Sequence, residues 1–174
     1  MLANQGRQAQ HIDYIVEASD LYTLIKSKLQ EKFQEYWDSE KDSTFLGKIK
    51  PIIGDLSWCR HPKRAIDVAY TRMRLNKVGL NKYLYTIGAS NTRFCQKCQN
   101  YAVEDVNHYL LTCPYYQAAR NTMFHNLRII GINNITSDIL LGASEEEPHL
   151  KKEITSELTK FLITSRRLEI LRAV

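Results

Sequence analysis

The sequence predicts a mainly α-helical fold, a small helical domain gathered around a compact cysteine and histidine cluster. Two observations predict it: apolar residues recur every three or four positions over most of the chain, and the cluster lies between two such stretches. The first stretch, Asp20 to Trp37, places Leu21, Leu24, Ile25, Leu29, Phe33 and Trp37 at helical spacing, with Ser19 or Asp20 positioned to cap it. Ser39 to Ser57 reads as a polar connector that packs on the core through Leu46, Ile49, Ile52 and Ile53, while Pro51 and Gly54 limit regular structure.

From Lys63, the positions Ile66, Ala69, Tyr70 and Met73 predict a second helix reaching Leu75. A short helix, Leu80 to Ile87, is closed by Gly88. Beyond the cluster, Pro114 opens a helix through Tyr116, Ala119, Met123, Phe124 and Leu127 to Gly131, and Ser137 starts a short one ending near Gly142. Ser144 and Glu147 form a capping box, and Leu150, Ile154, Leu158, Phe161, Leu162, Leu168 and Leu171 continue the apolar stripe. The resulting segments are a flexible N-terminal stretch (1–18), a helix and connector (19–57), basic helices with the cluster and the helix after it (58–131), and C-terminal helices (132–174).

With 174 residues, 44% hydrophobic and 25% charged, the chain has the composition of a folded domain and not of a disordered one. No run approaches the roughly 18 apolar residues a membrane span requires. Gln5, Arg7, Gln8, Gln10 and His11 also deny the N-terminus a signal core, so an intracellular protein is expected. In that setting Cys59, Cys95, Cys98 and Cys113 favour metal or free thiols over disulfides. The net charge of +5 is uneven: from Arg60 to Lys97 nine cations face Asp67 alone, which leaves the remainder of the chain net negative. A polyanion, nucleic acid first, is the partner this asymmetry suggests, against the alternative of a solvated helical face.

The chemistry concentrates in Cys95-Gln96-Lys97-Cys98, nine intervening residues, His108, four more, and Cys113. Two thiolates two residues apart can turn around one ion, and the order Cys, Cys, His, Cys is that of a CCHC zinc knuckle. On an ideal helix His108 and Cys113 would stand about 140° apart, so both reach one ion only if the helix loosens near its end, as Pro114 encourages. Four protein ligands leave no position for a catalytic water, which makes the zinc structural, a staple between the loop from Arg93 to Tyr101 and the helix carrying His108. His125 could replace His108 only at the expense of a looser loop. Cys59 and His61 read as bystanders; as a nucleophile pair they lack a third, orienting group.

Several of these residues carry a family likeness. Arg72-Met73-Arg74-Leu75, Leu80-Asn81-Lys82-Tyr83-Leu84, the Cys95/Cys98 pair, then Val106, His108, Leu110, Leu111, Cys113-Pro114, Tyr116 and Arg120 resemble the C-terminal region of LINE-type (non-LTR) retrotransposon reverse transcriptase polyproteins. Leu24 to Trp37, Leu140-Leu141-Gly142 and Phe161 to Thr164 extend the likeness over most of the chain from Asp20. Asn76-Lys77 departs from it, since family members often carry Gly-His there. The resemblance implies an accessory part of an RNA-directed DNA polymerase, with the rest of the polyprotein as a further partner.

No paired aspartates of a polymerase and no nuclease carboxylate order occur, and seven glycines make no phosphate-cradling loop. The expectation is therefore a non-catalytic module that binds RNA, single-stranded DNA or target DNA. Arg72, Arg74, Lys77 and Lys82 would meet phosphates, while Arg93, Phe94, Lys97 and Tyr101 would offer cations and aromatic faces to unpaired bases. The alternative is a helical docking domain with purely structural zinc.

Overall fold

A computed structural model describes residues 17–54, 61–98, 101–142 and 148–172. Among these the fold is mainly helical: α1 (Ala18–Glu40), α2 (Phe45–Ile49), α3 (Arg64–Arg74), α4 (Asn81–Thr86), α5 (Gln117–Ile129), α6 (Ser137–Leu141), α7 (Pro148–Thr164) and α8 (Leu168–Arg172). The periodic stretches become α3, α5 and α7 because their apolar rows have a face to bury. Ile66, Ala69, Tyr70 and Met73 of α3, Met123 and Leu127 of α5, and Ile154, Leu158, Phe161 and Leu162 of α7 enter one core. Since α3 packs on α8 and α5 on α7, segments 58–131 and 132–174 share that core. The Tyr70 hydroxyl, carried inward, donates to the Thr155 carbonyl at 2.8 Å.

Local signals set the short elements. Thr44 caps α2 by accepting from the Gly47 amide at 3.0 Å, and Thr136, one residue before the expected Ser137, caps α6 in the same way. Gly47 is fixed by sterics, because a Cβ there would lie 1.9 Å from the Lys41 carbonyl oxygen. The stripe after Pro148 is two helices: Arg166 breaks it with φ of +53°. The capping box at Ser144 and Glu147 lies outside the described residues, as does all of the N-terminal segment before Glu17.

Four features differ from the sequence reading or go beyond it. The α1 helix forms, but none of its residues is buried; Leu21, Leu24, Ile25, Leu29 and Phe33 stay at least half exposed. Its cap position is Glu17, so Ser19 and Asp20 fall inside the first turn. Hydrogen bonds at its C-terminal half hold it: Trp37 Nε1 donates to the Lys50 carbonyl at 2.8 Å, and Gln34 bonds the Pro51 carbonyl and the Ile53 amide. The connector reaches the core through Ile49 and Phe45, whereas Ile52 is exposed. Arg74 is buried, with Nε donating to the Leu141 carbonyl at 2.7 Å. A basic residue expected at a phosphate instead bonds a backbone carbonyl of α6, because position 74 continues the inward face of Tyr70 and Met73.

Candidate metal centre

A narrow hairpin presents the first two cysteines. The Cys95 amide donates to the Ala102 carbonyl at 2.8 Å and the Glu104 amide to the Arg93 carbonyl at 2.9 Å, pairing Phe94 with Val103 in an antiparallel bridge. Within the tight turn that follows, the amides of Lys97 and Cys98 are directed at the Cys95 sulfur. Such donors favour a thiolate.

His108 and Cys113 come from a helical turn of unusual pitch. Asp105 starts it, its carboxylate accepting from the His108 amide at 2.9 Å. Over His108–Thr112 the turn is π-helical, and the Cys113 amide donates to the His108 carbonyl at 2.7 Å. Closing the ring over five residues removes the rotation that would separate these side chains on an α-helix. This is the loosening the sequence required, and Pro114 then opens a 3₁₀ turn leading into α5.

The four ligand atoms lie within 4.8 Å of one another, close enough to hold one metal ion. Cys95 Sγ is 3.9 Å from Cys113 Sγ, and Cys98 Sγ is 3.5 Å from His108 Nε2. His108 Nδ1 faces Thr112 Oγ1 at 3.3 Å; a proton on that side leaves Nε2 as the ligating nitrogen. All four residues are buried or partly buried. Burial pushes the Cys113 thiol up to about 12 and raises that of Cys95, while it lowers the His108 imidazole. Without an ion, burial thus favours the neutral forms of Cys95, Cys113 and His108.

The sequence alone assigned no role to three charged residues around the cluster. Glu104 sits 3.7 Å from Cys95 Sγ, and Arg167 from beyond α7 donates to the same carboxylate oxygen at 2.6 Å. Glu104 also accepts from the Asn81 amide at 3.0 Å. Arg120 of α5 donates to the Cys113 carbonyl at 2.5 Å and places its positive charge beside that thiol. A sequence separation of 63 hides the Glu104 and Arg167 pair from any local pattern. Arg120 was visible only as a residue of the family likeness.

The residues expected to meet nucleic acid divide into two groups. Around the knuckle, the Arg93 guanidinium lies 5.4 Å from the Phe94 ring and the Tyr101 ring meets Phe94 edge-on at 6.4 Å. Lys97 lies 5.6 Å from the Tyr115 ring. Away from it, Lys77 is exposed, Lys82 is paired with Asp105 at 3.1 Å, and Arg72 donates to the Arg172 carbonyl. Arg74 is buried, as described. His125 is exposed on α5 and does not join the cluster; Cys59 lies outside the described residues, and His61 Nδ1 accepts from the Lys63 amide.

Among the described residues no helix is long and apolar enough to cross a membrane. No protein-family model, curated protein or solved structure matches the chain.

Proposed function

We propose that the chain is a zinc-stapled nucleic-acid-binding module without catalysis of its own, an accessory part of the kind that ends LINE-type reverse transcriptase polyproteins. Zinc suits the donor set. With Zn–S near 2.3 Å and Zn–N near 2.0–2.1 Å, a tetrahedron has edges of roughly 3.8 Å between sulfurs and 3.5 Å from sulfur to nitrogen. Two of the six separations, 3.9 and 3.5 Å, match those edges, and all six lie within 4.8 Å. Three thiolates, one imidazole and Zn²⁺ carry a net charge of −1, which Arg120 offsets from beside Cys113. Four protein ligands fill the coordination, so the ion holds structure and leaves no site for an activated water.

The observation that carries nucleic-acid binding is the aromatic and cationic face of the knuckle. Phe94 and Tyr101 border an open cavity of about 480 Å³, Tyr101 is 84% exposed, and Arg93 lies over Phe94. Exposed rings next to cations are what unpaired bases and their phosphates need. Tyr101 also holds φ of +51°, a costly backbone state for a bulky residue. Fluorescence anisotropy of the zinc-loaded chain with a labelled single-stranded RNA tests the reading: affinity should fall with added salt and drop on Tyr101→Ala. Absence of salt-sensitive binding to RNA and to single-stranded DNA would refute it.

The exposed apolar row of α1 favours a second reading, a docking domain that engages another protein through that row. In that case α1 substitutions would abolish partner capture and leave RNA affinity unchanged.

A further inference from the structure

A second cavity, of about 540 Å³, is lined by Lys97 of the knuckle together with residues that follow the cluster and end α7. Its size falls within the range of small-molecule sites. Lys97, Tyr115, Tyr116, Thr164, Arg166 and Arg167 are among the residues lining it, and among the described residues no carboxylate does. Lys97 and Arg166 have no acidic partner among the described residues. Tyr115 is 60% exposed. The buried side chains behind these are incompletely satisfied: Tyr116 Oη and Arg167 Nε have no hydrogen-bond partner among the described residues. Arg166, which also lines it, ends α7 in the left-handed region.

We propose that this cavity is a nucleotide subsite, in which Lys97 and Arg166 take a phosphate and the ring of Tyr115 stacks on the base. The proposal rests on the nucleic-acid reading above and extends it, since Lys97 of the knuckle lines this cavity and follows Cys95 and Gln96, which line the first.

The test uses the full zinc-loaded chain, a fluorescein-labelled twelve-nucleotide oligouridine, and two-dimensional amide NMR with uridine 5′-monophosphate or inorganic phosphate. Tyr115→Ala should weaken oligonucleotide binding about 5- to 150-fold, and Tyr115→Phe should restore it. Arg166→Gly removes the charge and suits the left-handed backbone, so the fold persists; it should weaken binding and make the logarithmic salt slope shallower by about 0.7. Unchanged affinity in Tyr115→Ala and Arg166→Gly, with the wild-type chain binding normally, would overturn the subsite and leave the wider reading standing. If the wild-type chain fails to bind the oligonucleotide, the mononucleotide decides. Shifts of the Tyr115 and Arg166 amides would keep the subsite and sink strand binding; no shift would sink both. Equal shifts with inorganic phosphate alone would reduce it to an anion site and overturn the nucleotide assignment.

Discussion

The amide of Cys113 donates to the carbonyl of His108 at 2.7 Å, and this five-residue closure brings an imidazole and a thiol to one cluster. Changing the step between the two ligands tests it. One alanine inserted after Thr112 makes the step six residues, about 240° around a helix, and metal binding should be lost. Deleting Thr112 makes it four residues, about 40° on an ordinary α-helix, and binding should survive. Metal content of the purified variants checks both outcomes, and equal retention would show that the π-helical turn is incidental.

Arg167 offsets the charge of Glu104 beside Cys95. Arg167→Ala leaves a buried carboxylate unpaired and should cost about 3–5 kcal/mol by urea unfolding. Replacing both, as in Glu104→Gln with Arg167→Met, should recover most of that loss. A single variant as stable as the wild type would show that the pair contributes nothing.

The pH response should change sign with metal. Burial raises the Cys113 thiol from 9.0 to about 12 in the metal-free fold. A group whose pKa rises on folding stabilises below its unfolded value and loses that contribution as the pH climbs to its folded one. The metal-free protein should therefore lose stability between pH 9 and about 12. The loaded protein, whose thiolates are already ionised, should hold through that window and weaken in acid as protons compete for sulfur. Urea midpoints measured across pH, with and without chelator, separate the two; identical profiles would count against a metal thiolate site.

Apolar residues of equal size should differ sharply in cost according to helix. Leu29 of α1 is half exposed, whereas Leu158 of α7 is fully buried. Leu29→Ala should shift stability by no more than about 0.5 kcal/mol, and Leu158→Ala should cost about 2–5 kcal/mol. Thermal unfolding of the two variants checks this; a large loss at Leu29 would mean that the row on α1 is covered.

Much of this architecture was legible because its causes are local. The rows Ile66 to Met73 and Ile154 to Leu162 announce helices by spacing, Gly88 and Gly142 mark helix ends, and the Cys95 to Cys113 order announces a chelating unit. What escaped depends on contacts distant in sequence. Amphipathicity in α1 reveals an apolar face but not whether anything covers it. Arg74 carries the same charge as its neighbours, and only the packing of α3 against α6 turns it inward. Glu104 and Arg167 meet across the core, where no pattern of either segment predicts them.

Metal analysis of the purified chain bears most directly on the central claim. One zinc ion per chain should be found, and it should be lost in each of Cys95→Ser, Cys98→Ser, His108→Gln and Cys113→Ser while His125→Gln keeps it. A wild-type chain without zinc, or full occupancy in any of the four ligand variants, would contradict the account.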